Sequence, residues 1–237
     1  QGTILIVNAF DRTSGPSTIE TPTLQGFDMI RDPGLPYINT TSYCGPQLAF
    51  DREKIGGGEP DGLGYSSSEW EGKLIAGNTF DYPFVHGKAI QAAGGYSFVS
   101  CSDEAIEQSL IRMEDYPIVD LILGAEKAML NEKMQQRIID YTRQGGNLLV
   151  SGSYIGSILP TSLSNNVLKF SHGGSMWGVT TGNVSGANTT FTFPTQVNEK
   201  NYAVPAPDCL LPTNGSYSTF VYTPGNYGAG IAYKGSG

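Results

Sequence analysis

The sequence predicts an α/β fold, in which helices cover both faces of a parallel β-sheet, followed by a β-rich C-terminal part. Strand-like and helix-like segments alternate between residues 73 and 160. The strand-like segments, such as PIVDLIL at 117–123, are nearly continuous apolar runs, which is typical of strands buried on both faces. Residues 161–237 lack a helical period and are rich in Thr, Asn, Gly and Ser. The alternation at short spacing predicts the parallel sheet.

The first strand is predicted at residues 3–9, where the sequence is TILIVNA. Residues 10–72 are predicted to be mostly loop, because they contain six prolines and three consecutive glycines. A loop of this length usually shapes a site or packs as a lid. The second strand is predicted at 73–77 (KLIAG).

Three helices and three further strands follow. The helices are predicted at 85–93, directly after Ser102, and at about 132–144, and the strands at 96–101, 117–123 and 147–151. Ser102 is the expected N-cap of the second helix and Asn131 that of the third. Gly145 and Gly146 then end the third helix.

The C-terminal part is predicted to contain short strands at 189–193, 218–222 and 230–233. We therefore expect one domain over residues 1–237. Its core comprises about 3–9 and 73–160, its long loop region 10–72, and its β-rich elaboration 161–237.

The composition excludes several classes of protein. The 14 Lys and Arg against 22 Asp and Glu give a net charge of −8, so no basic surface for nucleic acid is expected. The longest apolar runs are far too short to span a membrane. The three cysteines include no CxxC pair, which argues against structural zinc. The glycine-rich run at 56–64 lacks the strand and the Lys-Ser/Thr pair that a nucleotide-binding loop needs.

Low charge and abundant Gly, Ser, Thr, Asn and Tyr favour a secreted, periplasmic or cell-surface protein. A buried-strand pattern begins at Thr3, so no signal peptide is visible and we expect an exported form to be already processed.

Two groups of segments are more specific than a general α/β pattern. The first combines ILIVNAFDRTSGP (4–16), IAGNTFDYPFVHGKAI (75–90) and YSFVSCSDEAI (96–106), and the second combines YPIVDLILGAEKA (116–128) and GGNLLVSGSYIGSIL (145–159). Together they resemble a family of secreted Bacteroidetes-type proteins that are often labelled xanthan lyase or found beside cell-wall amidase domains. The same segments are similar to the class I glutamine amidotransferase-like, flavodoxin-like fold. The resemblance therefore implies a three-layer sheet of that type over about residues 3–160.

In an open parallel sheet, ligands bind outside the carboxyl ends of the strands. The polar residues expected at that edge are Asn8, Asp11, Arg12, Asn78, Asp81, Tyr82, His86, Cys101, Ser102, Glu126, Ser151 and Ser153. We expect Asn8, Asp11, Arg12, Asn78, Tyr82, Ser102 and Glu126 to contact a ligand there.

Ser153 is the sharpest candidate nucleophile. In the amidotransferase-like fold the nucleophile stands on the tight turn that follows this strand, and aligning LLVSGSYIG with that turn places Ser153 there. Such a turn aims backbone N–H groups at an oxyanion. The downstream His-x-Glu pair of the family is absent, because Gly173 and Gly174 follow His172, so glutaminase activity is not expected. The alternative role of Ser153 is to cap the next helix.

His86 is one of only two histidines, so histidine chemistry depends on His86 or His172. A helix N-terminus favours the neutral imidazole, and a Ser153–His86–Asp81 relay is chemically sensible. The alternative is a histidine that holds a loop against the sheet. Cys101 also precedes a helix, whose N-terminus could lower its pKa, although a buried, inert cysteine is the more common case.

Aromatic residues in or beside the loop region fit either a sugar-binding surface or the packing of the loops onto the sheet: Tyr43, Tyr65, Trp70, Phe80, Tyr82 and Phe84. We expect an exported accessory or carbohydrate-contacting domain of a polysaccharide- or cell-wall-processing protein, without cofactor or metal. Its expected partners are polysaccharide or peptidoglycan and other domains of the same full-length chain. The alternatives are a serine hydrolase that uses Ser153 and His86, or a polysaccharide lyase that uses His86 with Arg12 or Tyr82.

Overall fold

The computed structural model describes residues 2–9, 18–20, 22–23, 25–27, 82–124, 130–176, 181–196, 201, 203–204, 207–225 and 227–235. The chain forms two compact units. The larger unit comprises residues 1–10, 82–196 and 204–237, and the smaller unit comprises residues 11–81 and 197–203.

The described strands are β1 (Thr3–Asn8), β2 (Thr18–Glu20), β3 (Gln25–Phe27), β4 (Ser97–Ser102), β5 (Ile118–Gly124), β6 (Asn147–Gly152), β7 (Phe170–Ser175), β8 (Thr181–Gly186), β9 (Thr189–Pro194), β10 (Asp208–Pro212), β11 (Tyr217–Thr223) and β12 (Gly228–Ala232). The α-helices are α1 (Tyr82–Ala93), α2 (Asp103–Glu107), α3 (Glu132–Arg143), α4 (Ile155–Ile158) and α5 (Thr161–Ser164). A short 3₁₀ turn covers Met113–Asp115.

Four strands of the larger unit form the predicted parallel sheet, in the order β4-β1-β5-β6. Successive residues of β5 point to opposite faces, as the pleat of a strand requires. Val119 and Leu121 pack in the core together with α3, whereas Asp120 contacts α1. Helices therefore cover both faces, and the coarse α/β prediction is confirmed.

The α3 side of the sheet holds most of the core. Met134, Ile138 and Tyr141 are buried on one face of α3, and each contributes roughly 1.5–3 kcal/mol by its burial. Asn131 caps the helix as predicted, because its side-chain oxygen accepts a 3.0 Å hydrogen bond from the Met134 N–H.

The C-terminal part is a six-stranded antiparallel sheet in the order β7-β10-β12-β11-β8-β9. The β-rich prediction is confirmed, and the three predicted strands correspond to β9, β11 and β12. The sequence did not predict β7, β8 or β10. Two glycines of β8 lie directly beneath aromatic rings: Gly182 beneath Phe193 and Gly186 beneath Phe220.

In the smaller unit, β2 and β3 form an antiparallel hairpin within the segment predicted to be mostly loop. The strand predicted at 73–77 lies outside the described residues. None of the helices in the described part of the chain is long and apolar enough to cross a membrane.

Candidate functional site

Asp120 stands in the middle of β5, inside the apolar segment PIVDLIL. In the sheet register it pairs with Ile6 on β1 and Leu149 on β6. Only 5% of the residue is exposed. A carboxylate at such a position is costly unless polar groups or a charge satisfy it.

His86 provides a partner for this carboxylate. Its Nδ1 lies 2.7 Å from Asp120 Oδ2. An ionised carboxylate can only accept hydrogen bonds, so Nδ1 carries the proton in this pair. In the neutral imidazole, the second ring nitrogen, Nε2, then keeps its lone pair and can accept a proton.

The other oxygen of Asp120, Oδ1, is buried and has no hydrogen-bond partner among the described residues. Buried polar atoms without a partner are rare in folded proteins, and each needs an explanation. The hydrogen bond to His86 therefore satisfies only half of the carboxylate.

His86 lies on α1, one turn after Tyr82, so the two side chains project from the same side of the helix. About a quarter (26%) of the His86 side chain is exposed. The effect of the helix dipole is concentrated in the first turn of a helix. His86 is the fifth residue of α1 and therefore lies beyond that turn. The imidazole thus contacts a buried carboxylate and is itself partly exposed.

Two predicted ligand contacts, Asn8 and Ser102, are direct neighbours at the carboxyl ends of β1 and β4. Asn8 is buried and also pairs with Ile122 on β5. Ser102 occupies the N-cap position of α2 as predicted, but its side chain makes no capping hydrogen bond. Its hydroxyl instead hydrogen-bonds the Glu104 carboxylate and lowers the pKa of Glu104.

Ser153 directly follows β6, and its backbone N–H donates a 2.8 Å hydrogen bond to the Gly124 carbonyl. Only 8% of Ser153 is exposed. The N-cap of α4 is Tyr154, so the alternative capping role for Ser153 is wrong by one residue. Gly124 lies four residues beyond Asp120, about 13 Å along a regular strand. The backbone register alone therefore does not bring Ser153 to His86.

The remaining predicted contacts lie outside the described residues: Asp11, Arg12, Asn78, Asp81 and Glu126. The Ser153–His86–Asp81 relay therefore stays a prediction, as does the pairing of His86 with Arg12 that a lyase would use. Asp120, which sequence reasoning missed, is the carboxylate that contacts His86 in the described part of the chain. The sequence does carry a signal for Asp120, because this charged residue interrupts the apolar run PIVDLIL.

Cys101 does not have the lowered pKa that its place before a helix suggested. Burial, with a smaller contribution from the negative charge of Asp103, raises the pKa of the Cys101 thiol to about 11. Cys101 is therefore protonated near neutral pH and is a poor nucleophile. Cys101 and Cys209 are both free cysteines, and Cys44 lies outside the described residues.

The second histidine also contacts a buried aspartate. His172 Nε2, on β7, lies 3.5 Å from Asp208 Oδ1, on β10. The same carboxylate accepts hydrogen bonds from Ser175 Oγ and, at 2.8 Å each, from the backbone N–H and Oγ of Ser157. Both oxygens of Asp208 are thus satisfied, whereas Oδ1 of Asp120 has no hydrogen-bond partner among the described residues.

Within the described ranges, no group of three or more His, Cys, Asp and Glu side chains is placed to hold a metal ion. No protein-family model matches the chain, and neither a curated protein nor a solved structure matches it.

Proposed function

We propose that this chain is an exported domain of a polysaccharide- or cell-wall-processing protein and that it contacts carbohydrate through its antiparallel sheet. The observation that carries the proposal is a cluster of aromatic rings on β9 and β11, the two strands that flank β8, with one ring half exposed. We call this cluster the aromatic face; it consists of Phe191, Phe193, Phe220 and Tyr222.

The register explains why these rings share one face. Phe191 pairs with Val184 across β8 and β9, and Val184 pairs with Tyr222 across β8 and β11. The ring centroids of Phe191 and Phe220 are 6.3 Å apart, and those of Phe193 and Tyr222 are 6.0 Å apart. Both separations lie within the range of favourable aromatic pairs.

The aromatic face contains one buried ring and one half-exposed ring. Tyr222 is buried, and its hydroxyl donates a 3.2 Å hydrogen bond to the Asp208 carbonyl. Phe191, on the edge strand β9, is 50% exposed. The glycines beneath Phe193 and Phe220 let those rings lie flat on the sheet. The half-exposed ring of Phe191, which is inclined at 54° to that of Phe220, can stack on the apolar face of a sugar ring.

The sequence around β8 and β9 is uncharged and rich in hydroxyl groups. No Asp, Glu, Lys or Arg occurs between residues 170 and 196. On the opposite face of β8 and β9, Ser185 hydrogen-bonds Thr190, and Thr192 donates to Asn183. In the described part of the chain β9 is the edge strand, so no further described strand pairs with its outer backbone groups, which can hydrogen-bond sugar hydroxyls beside Phe191. This chemistry favours an uncharged stretch of polysaccharide over an ionic ligand.

The parallel sheet supports the resemblance that suggested an exported polysaccharide-processing protein. Numbered by their order along the chain, its four strands are arranged 2-1-3-4. That arrangement is the first part of the flavodoxin-like order 2-1-3-4-5. The proposed assignment to a flavodoxin-like or class I amidotransferase-like fold rests on this order and on the quoted segments.

Binding to soluble xanthan by native affinity electrophoresis, and to insoluble peptidoglycan by co-sedimentation, tests the proposal. We expect the chain to bind at least one of them and Phe191→Ala to weaken that binding by about tenfold, since stacking on one aromatic ring contributes up to about 1.5 kcal/mol. Tyr96→Ala is the matched control, because Tyr96 is equally exposed (50%) but precedes β4 of the other sheet. Absence of binding to both polymers, or equal binding by Phe191→Ala and the unmodified chain, would refute the proposal.

A further inference from the structure

The pair of His86 and Asp120 has the arrangement that makes an imidazole a base. The hydrogen bond from Nδ1 to the buried carboxylate fixes the tautomer and the orientation of the ring. Nε2 is then the nitrogen with the free lone pair, and the side chain is partly exposed. In catalytic triads the same contact between an aspartate and Nδ1 positions the base.

A role in stability alone explains this pair poorly. Asp120 stands among the isoleucines of β1 and β5, and its Oδ1 has no hydrogen-bond partner within the described residues. A buried ion pair is often no more stabilising than apolar residues of the same volume. The chain offers a second pair of histidine and aspartate for comparison with His86 and Asp120. In that pair, His172 and Asp208, the carboxylate accepts hydrogen bonds at both oxygens.

We propose that His86 is a general base, positioned by Asp120, that activates water to hydrolyse a carboxylic ester on the α1 side of the parallel sheet. The inference does not depend on carbohydrate binding by the antiparallel sheet.

A single imidazole base is sufficient for the hydrolysis of an ester. Glycoside hydrolysis generally needs two carboxyl groups on opposite sides of the bond, and His86 contacts one carboxylate in the described part of the chain. An ester needs only the activation of water and a proton for the leaving alcohol, which one imidazole can supply in turn. Tyr82, one turn before His86 on the same side of α1, is the predicted polar contact that the helix places beside this base.

The reaction balances without any further reagent. Nε2 takes a proton from water as the water oxygen bonds to the carbonyl carbon. The tetrahedral adduct then breaks its bond to the alcohol oxygen, and that oxygen takes the proton from Nε2. The products are one carboxylic acid and one alcohol, and His86 returns to its starting state.

The experiment uses p-nitrophenyl acetate as the probe and measures the rate over many turnovers at neutral pH. Because the chain has only two histidines, single substitutions separate them. We expect His86→Gln to lower the rate at least tenfold, as loss of a general base typically does. His172→Gln is the matched control and should leave the rate within about twofold. Equal rates for His86→Gln and the unmodified chain would overturn the proposal, as would a single acetylation without turnover.

Asp120→Asn tests the positioning role separately. An asparagine amide can donate to Nδ1 and so move the proton to Nε2, which leaves the geometry intact but removes the base. Nitrogen-15 spectra of the imidazoles should show the Nδ1–H tautomer for His86 in the unmodified chain and the Nε2–H tautomer in Asp120→Asn, with a tenfold lower rate. An unchanged tautomer and rate in Asp120→Asn would overturn the positioning role. If this variant does not fold, the His86→Gln and His172→Gln rates still decide whether His86 is the base.

Discussion

Asp208 accepts two hydrogen bonds from Ser157, one from the backbone N–H and one from Oγ, each 2.8 Å long. Asp208 belongs to the antiparallel sheet, whereas Ser157 belongs to the short helix α4 that follows the parallel sheet. Gly156 lies so close to Asp208 and His172 that a Cβ would collide with both side chains. These contacts fix α4 against β7 and β10.

Replacing Asp208 should therefore destabilise the larger unit. We expect Asp208→Ala to lower the free energy of unfolding by about 3 kcal/mol, because it leaves the hydrogen-bond donors of Ser157 and Ser175 without their charged acceptor. Urea unfolding measured by circular dichroism gives this value. Asp140→Ala, at a more exposed aspartate on α3, should change it by no more than about 0.5 kcal/mol. A loss below about 1 kcal/mol for Asp208→Ala would contradict the role assigned to this carboxylate.

Tyr141 is a second buried anchor, on the opposite side of the parallel sheet from α1. Its hydroxyl lies 3.0 Å from the Tyr116 carbonyl and 3.2 Å from the Asn147 carbonyl. Burial raises the pKa of Tyr141 to about 12, so the phenol remains a donor over the usual range of pH. Tyr141→Phe should cost about 1–1.5 kcal/mol, because the two carbonyl groups lose the single phenol proton that they share.

The control for Tyr141→Phe is the same change at Tyr217, which is 56% exposed. Both free energies come from chemical unfolding under identical conditions. Equal free energies of unfolding for Tyr141→Phe and Tyr217→Phe would show that the hydroxyl of Tyr141 contributes nothing to stability.

Cys101 should react slowly with alkylating reagents near neutral pH. With the pKa raised to about 11, only about 0.1% of the thiol is ionised at pH 8, against about a quarter for an ordinary cysteine. A chain with Cys44→Ser and Cys209→Ser isolates Cys101. Its rate with iodoacetamide should rise about tenfold per pH unit until about pH 11, because only the thiolate reacts. The same chain unfolded in guanidinium is the control, and a plateau at pH 9 in the folded chain would contradict the raised pKa.

The α/β part of the fold could be predicted because burial and periodicity agree there. The strand predicted at 117–123 is Ile118–Gly124, and the helix predicted at 132–144 is Glu132–Arg143. Both segments carry their own signal: β5 is continuously apolar, and α3 buries residues three and four positions apart. Parallel arrangement then follows from the alternation of the two patterns.

The strands β7 and β8 carry no such signal. The sequence of β7 is FSHGGS, in which only Phe170 is buried. Its extended conformation depends on pairing with β10, which is about 40 residues away in the chain. In β8 the glycines are selected by the aromatic rings above them, a relationship that propensity cannot show.

The candidate site was predictable only in part for the same reason. A position near the end of a strand or the start of a helix predicts three of the site residues: His86, Asn8 and Ser102. Asp120 was visible as a charge within an apolar run, but its pairing with His86 depends on the register of α1 over β5. No local pattern determines that register.

The location of the two histidines has a practical consequence. His86 contacts the parallel sheet and His172 belongs to the antiparallel sheet, and the sequence contains no third histidine. Their imidazole resonances in a proton NMR spectrum therefore serve as two natural labels, one for each sheet. During gradual denaturation, simultaneous loss of both native resonances identifies a single cooperative unit, whereas separate loss identifies which sheet opens first.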